Sequence, residues 1–208
     1  MCFNVDLSKG DATDDHRHSC GDAEIRSALR AYLLAKYAGE ADTAFIEELG
    51  LCRGQARIDL AVVNGLLHGF EIKSDRDSLR RLPPQAEVYS RVFERMTLVV
   101  GNRHLTEAME VVPDWWGILR IDQRRTGLAF RVVRRGRRNP VRDPRALVEL
   151  LWRDEALELL AAKGAARGAR GKPRSLVWDR LCEHLDLSEI AATVCTSLKA
   201  RAATQAPA

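Results

Sequence analysis

Three charged residues sit inside runs that otherwise read as core strands: Asp59 in "RIDLAVV", and Glu71 and Lys73 in "GFEIK". A buried charge is costly unless it is paired or binds a metal. The two runs flank Asn64-Gly65 and form a hairpin by pattern. Alternation along a strand puts Glu71 and Lys73 on one face and Ile72 on the other. A two-residue turn would set Asp59 across from Phe70. A three-residue loop, or one bulge, sets Asp59 opposite Glu71 and gathers Ile58, Leu60, Val62, Phe70 and Ile72 on one apolar face. The second register is self-consistent and is the one expected. It brings two carboxylates to about 5 Å, which repel unless a cation lies between them. A hard cation, Mg²⁺ or Mn²⁺, held by Asp59, Glu71 and the Ile72 carbonyl would satisfy them. Lys73 would then orient or deprotonate a water, or stabilise charge on a phosphate oxygen, as phosphodiester hydrolysis requires. The simpler alternative is a cross-strand ion pair, which leaves one acid unexplained.

An Asp on one strand followed by Glu-x-Lys on the next resembles the signature of the PD-(D/E)XK nuclease superfamily. The residue before Asp59 is Ile58, where that family usually has Pro. "QAEVY" resembles the Gln-x-x-x-Tyr motif of its RecB-like branch, with Gln85 in the site and Tyr89 supporting it. The "PDWWGI" segment resembles that of a bacterial group within the superfamily. The resemblance spans about Asp22 to Gly101. It implies a restriction-endonuclease-like core, Mg²⁺ or Mn²⁺ as cofactor, and a further glutamate, with Glu24 the first candidate and Glu48 the second. Each residue also has a plainer reading. Gln85 and Tyr89 suit any amphipathic helix, Glu24 suits a first helical turn by the helix dipole, and Trp115 and Trp116 suit packing, one inside and one at an edge.

Those residues need a scaffold. The helical period in "DAEIRSALRAYLLAKYAG" predicts a first helix starting near Asp22. "TAFIEELGL" reads as an edge strand or turn, and the hairpin follows. "PPQAEVYSRVFERM" opens a helix on two prolines. "TLVVG" is a short buried strand, "TEAMEVV" a short helix closed by Pro113, and "WWGILRID" and "GLAFRVVRR" two strands about a turn. From "RALVELLWRDEALELLAAKG" onward the pattern is helical. The expected fold class is α/β, with a mixed central β-sheet flanked by helices and a C-terminal helical appendage. The domain reading is a flexible tail over 1–20, a nuclease-like α/β domain over 21–140 and a helical region over 141–203. His16, His18 and Cys20 in the tail read as a casual cluster rather than a metal site.

The chain has 208 residues, 46% hydrophobic and 30% charged, which suits a soluble globular protein. No apolar run approaches the roughly 20 residues that span a bilayer, so no membrane partner is expected. Five scattered cysteines and no secretory pattern suggest a reducing cytoplasm. Net charge is +4, yet Arg120 to Arg145 holds ten arginines against Asp122 and Asp143. That basic segment points to a polyanion, DNA rather than RNA for want of an aromatic stacking platform. Arg80, Arg81, Arg134, Arg135, Arg137 and Arg138 are the candidate phosphate contacts. The expected function is a metal-dependent DNA nuclease. Alternatives are a catalytically idle DNA-binding or docking subunit of the same fold, and an RNA nuclease. A protein partner or homodimer through the C-terminal helices is also open.

Overall fold

The computed structural model describes residues 21–205; the tail reading and its His16, His18 and Cys20 lie outside them. Helix α1 (Asp22–Lys36) leads into a six-stranded sheet. Its strands run in chain order: β1 (Ala44–Leu51), β2 (Ala56–Val63), β3 (Leu67–Lys73), β4 (Arg95–Val100), β5 (Gly117–Arg124) and β6 (Gly127–Arg134). β1–β2, β2–β3 and β5–β6 pair antiparallel, whereas β3–β4 and β4–β5 are parallel. Parallel neighbours need crossovers. Helices α2 (Leu82–Val92) and α3 (Leu105–Val111) supply them, and α2 begins on Pro83 and Pro84, where a missing N–H costs nothing. Four helices close the chain: α4 (Pro144–Val148), α5 (Arg153–Ala162), α6 (Arg174–His184) and α7 (Leu187–Gln205).

Two apolar layers sandwich the sheet. On one face Ile25, Leu29 and Leu33 of α1 pack on Leu60, Val62, Phe70, Ile72, Val99 and Leu119. On the other, α2, α3 and the C-terminal helices share one continuous core with Ala61, Val63, Leu98 and Ile118. Trp116 is fully buried there, with Trp115 half-buried beside it. Ile190, Val194 and Leu198 of α7 are spent on this core, together with Val177 and Leu181 of α6. The mixed α/β class is therefore observed, with the sheet mixed and flanked by helices.

Two expectations need correction. The apolar period from Arg145 to Lys163 is not one helix. It breaks after α4, because Leu150 and Leu151 turn into the core and Trp152 takes extended backbone as the cap of α5, its amide bonded to the Glu155 carboxylate at 2.6 Å. Ile58 also leaves the face assigned to it. It packs with Ala56 and Ala61 on the far side from Leu60. The β1–β2 ladder is interrupted where Glu48 faces Asp59, Glu48 having a left-handed φ of 55°. One irregular position shifts the alternation for everything before it.

Candidate functional site

β2 and β3 pair Val63 with Leu67 and Leu60 with Phe70. Asn64 to Leu66 form a three-residue loop, with Gly65 at φ +88°, the register expected from the charge pattern. Continued one step, it sets Asp59 across from Glu71. The strands are held there by a side chain: Asp59 Oδ2 accepts the Ile72 amide at 2.7 Å. Glu71 and Lys73 face α2 and are both buried. The Lys73 ammonium donates to Glu71 Oε1 at 2.6 Å, and the Tyr89 hydroxyl lies 2.8 Å from Glu71 Oε2 and 2.9 Å from the Arg57 carbonyl. Gln85, one turn earlier, donates to the same hydroxyl at 3.2 Å, and its Oε1 is buried without a partner among the described residues. The chain thus brings Asp59, Glu71, Lys73, Gln85 and Tyr89 together at the carboxyl ends of β3 and β4.

Electrostatics follow from burial. The Glu71 carboxyl is pushed up from 4.5 to about 7, first by loss of water and then by the Asp59 charge; Lys73 and Tyr89 oppose the rise. Asp59 is also raised by burial, against the Ile72 amide, Lys73 and Arg26. Burial and the Glu71 charge hold the Tyr89 phenol protonated. Of the two further glutamates, Glu48 reaches the cluster: Arg26 bridges it at 2.6 Å to Asp59 at 3.4 Å, and Arg57 binds its other oxygen at 2.5 Å. Glu24 is exposed in the first turn of α1, consistent with the dipole reading.

The donor set fits an ammonium better than a hard cation. Both Glu71 oxygens and both Asp59 oxygens are bonded to protein donors, the Asp59 pair by the Ile72 amide and by Arg26. Among the described residues no group of three or more His, Cys, Asp or Glu could hold a metal ion. The repulsion between the acids is relieved from within, by Lys73.

The arginines divide into two groups. Arg134 turns inward and donates to the carbonyls of Trp116 at 2.8 Å and Pro113 at 3.0 Å, tying β6 to the segment before β5. Arg138 pairs with Glu94 at 2.8 Å. Arg135 and Arg137 are exposed and form no ion pair among the described residues; the same holds for Arg80 and Arg81 beside α2. Three arginines not singled out from sequence join the exposed group: Arg124 and Arg125 at the tip of the β5–β6 ribbon, and Arg131. Arg131 lies directly across from Arg120, which Asp122 neutralises at 2.7 Å. Strand alternation would have flagged them once the ribbon was drawn.

The family profile described as Bacteriophage P4 protein cII matches residues 16–206. The chain belongs to the bacteriophage P4 protein cII family. "Protein cII" of Enterobacteria phage P4 is 29% identical over 178 residues, covering 86% of this chain and 66% of that relative, just under two thirds of its length. No solved structure matches. This overturns the assignment to the PD-(D/E)XK nucleases: the cII match runs across the α/β core and the C-terminal helices alike, whereas the nuclease likeness rested on a handful of residues between Asp22 and Gly101. The expectation of a Mg²⁺-dependent nuclease falls with it, and so do the hydrolase and RNA nuclease readings.

Proposed function

We propose that this cII-family chain is a nucleic-acid-binding protein that acts by occupying its target, a regulatory mode, with DNA the fitting partner. One observation carries the reading: Arg124, Arg125, Arg131, Arg135 and Arg137 are exposed on the β5–β6 ribbon and its continuation, with no carboxylate within ion-pair distance of any of them among the described residues and the nearby Asp122 bonded to Arg120. Like charges gathered on a ribbon cost stability, and a polyanion reverses that cost. Binding would track the phosphate backbone and release counterions without reading bases. The sheet's finer likeness to a restriction-endonuclease-like arrangement belongs to this reading as a matter of shape, with Lys73 as the resident cation on Glu71, the residue through which Tyr89 ties α2 to β3. Among the described residues no helix is long and apolar enough to cross a membrane, which suits a nucleic-acid target, and cytoplasmic residence is part of the reading.

The test is fluorescence anisotropy with duplex DNA, duplex RNA and single strands over a salt series. Replacing Arg124, Arg125 and Arg131 by Gln should weaken DNA binding and lower the steepness of its salt dependence by about one per contact removed. Wild-type affinity in the triple variant, or no binding of any nucleic acid by the wild type, refutes the reading.

A further inference from the structure

At the opposite end of the sheet from the Asp59–Glu71–Lys73 cluster, a cavity of about 350 Å³ opens beside the last turn of α1 and the first residues of β3, β4 and β5. Its size falls at the low end of small-molecule sites. Four cations line it, Lys36, Arg95, Arg134 and Arg135, and no Asp or Glu does. Arg134 is committed to two carbonyls. The others have capacity to spare. Among the described residues Arg95 reaches only the Gly136 carbonyl, at 3.4 Å, Lys36 lies over the Tyr37 ring, and Arg135 has no ion pair.

The wall is built for this shape. Buried His68 stacks on Phe70 with centroids 4.2 Å apart and shares a 2.9 Å hydrogen bond with Thr97. Burial, then Lys36 and Arg95, push the imidazole down to about 3, so the ring is neutral and adds a polar edge without a charge. Gly117 and Gly136 meet backbone to backbone; a Cβ on Gly136 would sit 2.9 Å from the Gly117 amide. A bulge between Ile118 and Leu119 re-aims this end of β6. Both devices set Arg135 over the rim. The carboxyl end of α1 contributes partial negative charge, which Lys36 offsets.

We propose that this cavity binds the phosphate of a nucleotide, with Lys36, Arg95 and Arg135 around the phosphate and Tyr32 of α1 and Phe70, which also line the cavity, beside the ring. The shared chemistry is a phosphomonoester on a nucleoside, whether on a free mononucleotide or at a strand end. Cations without a counter-anion, in a recess with aromatic and neutral imidazole walls, match both halves of that ligand. The site goes beyond the ribbon reading; it shares Arg135 with it, while Lys36 and Arg95 belong to the cavity alone.

Calorimetric titration of the full chain with AMP, inorganic phosphate, and an oligonucleotide with and without an end phosphate tests it. AMP should bind, and Arg95→Gln or Lys36→Gln should each weaken it about tenfold or more. Arg125→Gln, at the ribbon tip and outside the cavity, should leave AMP binding unchanged. Competition by the end-phosphorylated oligonucleotide alone places the source at a strand end, and its failure to compete places it with the free nucleotide. Inorganic phosphate binding as tightly as AMP overturns the nucleotide assignment. No saturable AMP binding, or equal binding in the wild type and both pocket variants, overturns the site. Circular dichroism of the variants separates loss of ligand from loss of fold, and Lys36, exposed at a helix end, can be changed without touching the core.

Discussion

Folding stability should fall as pH rises, and Glu71→Gln should remove most of that fall. Glu71 is buried, and its carboxyl holds a proton up to about pH 7, against an ordinary value of 4.5. The folded chain therefore binds this proton more tightly than the unfolded chain does. Protonation favours folding, the benefit is complete below 4.5, and it is lost as pH rises through about 7. At about 1.4 kcal/mol per tenfold difference in proton affinity, the loss is on the order of 3 kcal/mol. That is a large share of the roughly 5–15 kcal/mol that holds a typical domain together. Urea denaturation at a series of pH values measures it directly. In Glu71→Gln the amide oxygen still accepts from Lys73, so the ladder survives while the titrating proton is gone. A shallow slope should remain from Asp59, whose carboxyl is also raised. Should the single variant fail to fold, Glu71→Gln with Lys73→Met removes the stranded ammonium as well. A wild-type curve flat between about 4.5 and 7, or an equal slope in the variant, refutes the reasoning.

Tyr89→Phe should cost about 1–3 kcal/mol in chemical denaturation, because it strips the Glu71 carboxylate and the Arg57 carbonyl of their shared donor. Gly101→Ala should cost about 1–3 kcal/mol by the same measurement, since a Cβ there would collide with the Asp75 carboxylate and lie 2.9 Å from its amide. Millimolar Mg²⁺ or Mn²⁺ should leave the melting temperature unchanged, because the carboxylate oxygens are already bonded; a clear rise on adding either ion would show that Lys73 yields to a metal.

The hairpin was legible because charge and alternation constrain it together. Only a three-residue loop at Asn64 gives Asp59 and Glu71 a common neighbourhood, and the strands pair that way. Ile58 was misplaced because one left-handed residue, Glu48 on the neighbouring strand, breaks the period, and no local pattern announces a positive φ at a glutamate. The long C-terminal amphipathic run concealed a break for a related reason. Leu150 and Leu151 suit a helix as well as a buried turn, and only the Trp152 amide finding Glu155 decides it. The arginine segment was visible as a charge excess, but which arginines face water depends on the sheet. Arg134, adjacent to exposed Arg135, spends its guanidinium on two carbonyls. The acid-x-lysine spacing located a real cluster yet misassigned the family, since so few residues constrain ancestry far less than a match over 16–206.

The left-handed Glu48 has a consequence for how molecules meet one another. β1 and β6 are the outer strands, and an outer strand is a template on which a second chain can grow. In β1 the kink at Glu48 splits the ladder into pairs at Ala44–Glu47 and at Leu49–Leu51, too short on either side to nucleate a stacked fibre. In β6 the bulge and the exposed, charged Arg131 do the same. Both rims of the sheet are thus closed to self-propagation, one by backbone geometry and one by charge. Crowding alone would not drive such molecules into aggregates edge to edge. A polyanion that masks the β6 arginines would lift the charge barrier there and leave the geometric one at β1 intact.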